Sequence, residues 1–201
     1  MRSRYYHIMA VCCAALLLGS CATRKIFSTN YYHQNEKVLT DIEHSYRAMY
    51  GKRPFSLEFT DKSFNNISLE IITDSVKLIY DFEVHEARLQ DTMQKYRLPA
   101  EIHQLIEQMK SIRCIWINML DYYTNNRRET LVFMSIRNVA IHLPFTPEKY
   151  YILTFYAQLQ YYDSEGRLLA GRNLRRVRKI NDEIFMRITD KVCYTISGRF
   201  R

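Results

Sequence analysis

Residues 112–138 read IRCIWINMLDYYTNNRRETLVFMSIRN, and this stretch decides the fold class. From Ile112 to Tyr123 the residues are apolar at odd and even positions alike, with Trp116 among them. A strand buried on both faces has that composition, which places it in the middle of a sheet. Thr124-Asn125-Asn126-Arg127-Arg128 is a polar turn, and Glu129 to Asn138 returns, with an extension toward Leu143 before Pro144 and Pro147 interrupt. Two such runs joined by a short polar turn form an antiparallel hairpin.

Strands flank this hairpin on both sides in the chain. Upstream, Phe55, Leu57 and Phe59 alternate with polar residues, Asp61 to Asn66 turns the chain, and Ile67, Leu69 and Ile71 alternate again. After Thr73-Asp74-Ser75, the residues Val76, Leu78, Tyr80, Phe82 and Val84 give the clearest period of two. Downstream, Leu153, Phe155, Ala157, Leu159 and Tyr161 predict another long strand, Asp163-Ser164-Glu165-Gly166 a second hairpin turn, and Arg167 the start of its return.

Helical spacing appears at three main places. Asn30 is placed to cap a first helix whose Val38, Leu39, Ile42, Tyr46 and Met49 share a face, and Gly51 and Pro54 end it. Leu89, Met93 and Tyr96 suggest a turn or two, and Pro99 opens a second helix with Ile102, Leu105, Ile106 and Met109 at 0, 3, 4 and 7. Asn181 is placed to cap a last helix lined by Ile184, Ile188, Val192 and Ile196 and stopped by Gly198, with Asp182 and Glu183 in its first turn. The expectation is an α+β domain: an antiparallel sheet of six or seven strands with about three helices packed on one face.

The N-terminus is of another kind. Arg2 and Arg4 precede an apolar run of about 11 residues, Ile8 to Leu18, too short to span a bilayer, which takes about 20. A basic start, a short apolar core and small residues before a cut define a secretory signal peptide. The last four residues, Leu18-Gly19-Ser20-Cys21, resemble the lipobox of bacterial lipoproteins. That resemblance implies cleavage before Cys21, a diacylglyceryl thioether on its sulfur, and usually an acyl group on its new amine. The expected organisation is a signal peptide at 1–20, a membrane tether at 21–29 and one globular domain at 30–201. At ~3.4 Å per residue the tether reaches about 30 Å. Ala22 follows the cysteine where an Asp favours inner-membrane retention in similar Gram-negative lipoproteins, so the resemblance implies an outer-membrane anchor. The acidic stretch of Bacteroidota surface-export signals is absent, and the expected leaflet is periplasmic. The Tyr- and Asn-rich, Gly-poor style is similar to that of a Bacteroidota protein.

Composition sets further bounds. Hydrophobic residues make up 47% of the chain, which places it among folded rather than disordered proteins. Loss of Arg2 and Arg4 with the leader leaves 27 basic against 21 acidic residues, a net charge of +6. That excess suits anionic neighbours such as lipid phosphates or an acidic partner, and export argues against nucleic acid. Cys12 and Cys13 leave with the signal peptide and Cys21 takes the lipid, so Cys114 and Cys193 remain. In an oxidising compartment the two either pair or stay as buried thiols. A bond would close a loop of about 80 residues and add roughly 4 kcal/mol in the chain-entropy picture.

Three groups of side chains are candidates for a site. Asp81, Glu83 and His85 fall on one strand face, a grouping that suits acid–base chemistry and equally the wet face of a half-buried strand. His85-Glu86 begins like a zinc-protease helix, but Leu89 stands where the second His belongs. Thr154, Tyr156, Gln158, Gln160 and Tyr162 form an aromatic–amide face suited to a glycan, a peptide or a partner protein, or to cover by the chain itself. Arg167, Arg172, Arg175, Arg176, Arg178 and Lys179 form a basic run with no acid between 166 and 181, fit for an anionic surface or for simple solvation. No Gly-rich phosphate loop or Gly-x-Ser-x-Gly turn occurs.

These readings point to a non-enzymatic envelope lipoprotein without cofactor, which tethers a partner complex to the membrane. Small lipoproteins of secretion machines such as the type VI apparatus are similar in outline. The alternative is a lipoprotein that binds glycan, peptidoglycan or lipid.

Overall fold

A computed structural model of the chain describes residues 29–124, 127–137, 148–172 and 174–199. The chain divides into two compact units, residues 1–36 and 37–201. Of the first unit, residues 29–36 are described and are helical. Asn30 therefore lies within helix rather than capping it, and its neighbour Tyr31 accepts a bond from the Asn35 amide at 2.9 Å.

In the second unit, helix α1 covers 37–52. It is followed by β1 (Phe55–Phe59), β2 (Asn66–Ile72), β3 (Lys77–Glu83), α2 (Ala87–Lys95), α3 (Ile102–Ser111), β4 (Cys114–Thr124), β5 (Arg127–Arg137) and β6 (Tyr150–Tyr156). The chain then forms five short strands, β7 (Leu169–Gly171), β8 (Leu174–Val177), β9 (Lys179–Ile180), β10 (Glu183–Ile184) and β11 (Met186–Arg187), and closes on β12 (Val192–Ser197). Among the described residues the main sheet has eight strands in the order β11-β12-β6-β5-β4-β1-β2-β3, and every pairing in it is antiparallel. The fold is α+β, and its sheet is one strand wider than the sequence suggested. The hairpin that decided the class, β4–β5, lies near its centre and pairs from Cys114↔Ile136 out to Thr124↔Arg127.

Period two turns one face of this sheet into the core. A single row crosses all eight strands: Tyr80, Leu69, Leu57, Ile117, Met134, Leu153, Tyr194 and Met186 stand opposite one another in succession. Helix α1 packs on this face. Its Leu39, Ile42, Tyr46 and Met49 are buried, the Tyr46 ring meets Phe55 edge-on, and the Tyr46 hydroxyl donates to the Phe55 carbonyl at 2.5 Å. Arg47 locks the helix to the strands by donating to Glu43, to Thr130 Oγ1 at 3.1 Å and to the Phe155 carbonyl at 2.9 Å. Just beyond α2, the Tyr96 hydroxyl bonds that of Tyr80 on the same face.

The other face is divided. Over β1–β3 it is largely polar: Ser56 is buried, Glu58, Ser68 and Glu70 are partly buried, and along β3 it is open, with Lys77, Ile79, Asp81 and Glu83 exposed. Over β4, β5, β6 and β12 it carries Trp116, Phe133, Ile152, Tyr156 and Cys193, all buried. The segment 157–191 folds back as its cover: Leu168 and Phe185 are fully buried, the Leu168 N–H donates to the Phe185 carbonyl at 2.9 Å, and Gln160 N–H to the Asp190 carbonyl at 2.8 Å.

Two expectations are corrected here. The strand expected to run to Tyr161 ends at Tyr156, and the chain turns over the sheet instead. The last helix does not form. Residues 179–197 are β9 to β12, and Asn181 and Asp182 adopt positive φ (49° and 64°) in the two-residue loop between β9 and β10. Asn and Asp tolerate that region best after Gly, and a loop of this kind needs it twice. The hairpin turn at Asp163–Gly166 does form, with Gly166 at φ 81° and the Asp163 carboxylate accepting the N–H groups of Glu165 and Arg167 at 3.0 and 2.8 Å.

Of the two states open to the remaining cysteines, the structure has the second: Cys114 and Cys193 are separate, buried thiols, and the possible disulfide is not formed. They lie on β4 and β12, with β5 and β6 between them. Three strand steps of ~4.8 Å put them at least about 14 Å apart across the sheet, and the register offsets them further along the strands, where a disulfide needs Cα atoms within about 7 Å. Denatured, unreduced protein is expected to label at both cysteines with a thiol reagent. A single labelled site, or none, contradicts this register.

Candidate functional site

The aromatic–amide residues are drawn into the molecule. Tyr156 ends β6 and is 3% exposed; Gln160 and Tyr162 belong to the cover and are half-buried against the sheet, and Gln158 is exposed. With the strand ended, the four no longer share one outward face. Tyr162 Oη lies 3.3 Å from Cys193 Sγ, and Thr154 Oγ1 donates to the Cys193 carbonyl at 3.4 Å. Gln160 Nε2 donates to the Tyr122 hydroxyl at 3.3 Å, Arg178 donates to Gln160 Oε1 at 3.2 Å and to the Ala170 carbonyl at 2.9 Å, and its guanidinium lies over the Tyr122 ring. Tyr122 in turn meets Tyr156 edge-on. This network fastens the cover to the sheet. Sequence alternation points to these residues as a group but not to what covers them.

Burial also sets their titration. It pushes the Cys114 thiol up to about 12 and the Cys193 thiol up to about 11. Burial, then the neighbouring Cys193, raises the hydroxyls of Tyr156 and Tyr162. The unfolded chain ionises these groups from about pH 8.5 to 10. Above about pH 9 the unfolded state therefore holds fewer protons than the folded one, and stability falls as pH rises. Urea midpoints are expected to show no contribution from these groups between pH 7 and 8 and to fall between pH 9 and about 12. Cys193→Ser, which keeps a partner for Tyr162 without an ionisable thiol, is expected to make that fall shallower.

The basic run splits in two. Arg172, Arg176 and Lys179 are exposed, whereas Arg178 is turned inward as described, and Arg167 pairs with Asp163 at 2.6 Å and Glu165 at 3.4 Å. Arg175 lies on β8, and its side chain is outside the described residues.

Asp81 and Glu83 share the open face of β3 and line a shallow groove of about 610 Å³ with Thr60, Asn66, Phe82, Glu86 and Arg88. His85 is not part of it, because the strand ends at Glu83 and the alternation ends there too. A second pocket, of about 500 Å³, lies between the β9–β10 loop and the covered face; Phe133, Ile152 and Phe185 supply apolar walls, and Glu183, Thr195 and Ser197 polar ones. Ser197 donates to Glu183 at 2.9 Å. Neither the alternation nor a motif marked this pocket. Among the described residues no three His, Cys, Asp or Glu side chains cluster as metal ligands, and no helix is long and apolar enough to cross a membrane. Cys21 and the lipobox lie outside the described residues. No protein-family profile, curated protein or solved structure matches the chain.

Proposed function

We propose that the chain is a non-enzymatic lipoprotein of the cell envelope, held in the outer membrane by lipid on Cys21 and facing the periplasm, where it tethers a partner complex. The observation that carries this reading is the run Leu18-Gly19-Ser20-Cys21 directly after the apolar segment Ile8–Leu18. The exposed Arg172, Arg176 and Lys179 support a docking role. Each basic residue near an anionic surface contributes about 1 kcal/mol, so three contribute about 3 kcal/mol at low salt. Replacing all three by Glu in tagged, full-length protein tests the docking role by in-cell crosslinking. Partner capture is expected to fall at least tenfold with lipidation unchanged, and undiminished capture contradicts the assignment.

A second reading, a lipoprotein that binds glycan, peptidoglycan or lipid, draws on the pocket between the β9–β10 loop and the sheet. Apolar walls with a few convergent polar groups are the usual build of a small-molecule site. Saturable binding of soluble peptidoglycan fragments, lost in Thr195→Trp, would favour it over the first.

A further inference from the structure

We propose that the free edge of the main sheet is a self-pairing surface, on which β3 of a second copy of this chain adds antiparallel to β3 with Ile79 opposite Ile79. The backbone pattern fixes where the edge is open. In the β2–β3 hairpin the Thr73 N–H bonds the Val76 carbonyl at 3.0 Å and the Val84 N–H bonds the Asn65 carbonyl at 2.8 Å. Ladder bonds alternate along an antiparallel strand, so Leu78, Tyr80 and Phe82 also face β2, while Lys77, Ile79, Asp81 and Glu83 direct N–H and C=O outward. Glu83 is already closed off, since its N–H donates to Glu86 Oε2 at 3.2 Å and its carbonyl accepts the Glu86 N–H at 3.0 Å. The open edge thus runs from Lys77 to Asp81, and its midpoint is Ile79. Among the described residues no strand pairs beyond β3, whereas β11 at the opposite edge has two residues and is bridged to Arg167.

The side chains select the occupant. Ile79 is 62% exposed and Val76 53%, an unusual load of apolar surface on an edge that proteins normally blunt. A two-fold axis through Ile79 sets Ile79 against its own copy and Lys77 against Asp81 twice. On the core side it sets Leu78 against Tyr80 and Val76 against Phe82. Lys77 already holds Glu70 at 2.7 Å and has donors left for a second carboxylate. A shift of the axis to Tyr80 puts Ile79 against Asp81, and a shift to Asp81 puts like charges opposite, which is unfavourable. The centred register alone satisfies charge, apolar contact and backbone together, with six interchain backbone bonds over three hydrogen-bonded pairs. It is independent of the tethering reading, although confinement on a membrane would raise the local concentration of copies.

Cysteine scanning of the full-length chain in intact cells tests this. Opposed residues of a hydrogen-bonded pair lie about 5.5 Å apart, within crosslinking reach, whereas in this register two copies of position 77, or of 81, are about 14 Å apart. With a short bismaleimide, Ile79→Cys is expected to give a dimer band, Lys77→Cys and Asp81→Cys only the wild-type background, and the double Lys77→Cys/Asp81→Cys a dimer again. Within Ile79→Cys, adding Asp81→Lys is expected to weaken the band several-fold, and adding Lys77→Asp as well to restore it. A band no stronger at 79 than at 77 or 81, a band indifferent to Asp81→Lys, or a product of some other mass overturns the proposal.

Discussion

Replacing Cys21 by Ala is expected to abolish fatty-acid labelling of the protein and to move the exported, leader-free chain from the membrane fraction to the soluble one. Each buried CH₂ holds about 0.8 kcal/mol, so one acyl chain gives only marginal attachment and three hold essentially permanently. Removal of all three leaves the leader-free chain only electrostatic attraction from its exposed basic residues, Arg172, Arg176 and Lys179 among them, which salt at 1 M screens within about 3 Å. The readout is incorporation of a labelled fatty acid together with fractionation after a high-salt wash. Full membrane retention of a cleaved, unlabelled Cys21→Ala chain contradicts lipid anchoring.

Phe185→Ala is expected to destabilise the domain by about 3–5 kcal/mol, the usual cost of removing a buried aromatic ring. Phe185 is 1% exposed and lines the same pocket as Phe133 and Ile152 on the sheet face below. Its carbonyl also holds Leu168, another buried residue of the cover. The loss corresponds to a fall in Tm of roughly 6–20 °C for a domain of this size. Because the cavity opens under the cover, hydrogen exchange is expected to rise first in 157–191, with β1–β2 protected longest. Unchanged thermal stability contradicts the assignment of this segment as part of the core.

The central hairpin was legible because composition alone marks a strand buried on two sides: with Trp116, Ile117, Leu131 and Val132 on both faces, only a mid-sheet position fits. β1 to β3 were legible for the complementary reason, a clean period of two. The last helix misled because its signal was ambiguous. Ile184, Ile188, Val192 and Ile196 are spaced by four, and four residues bring a side chain back to the same face in a helix and in a strand alike. The β-branched content of 184–196 and the Asn181-Asp182 pair were the clues for strands. The Tyr156-to-Tyr162 face failed differently. Its alternation is real as far as Tyr156, but what covers a sheet face depends on a segment returning from farther along the chain, and no local period encodes that. The same limit applies to Arg178, which sits among exposed basic residues in sequence yet turns inward to Gln160 and Tyr122. The pocket beside the β9–β10 loop joins residues from β5, β6, β12 and the segment 180–185, so only the fold assembles it.

The tethering role is tested most directly by in-cell crosslinking of tagged wild type and of Cys21→Ala, with identification of the copurified proteins. Wild type is expected to capture a defined envelope complex and the unlipidated chain to lose it. Capture of no protein by either form, or equal capture by both, contradicts the tethering role; capture by neither directs attention to glycan and lipid ligands instead.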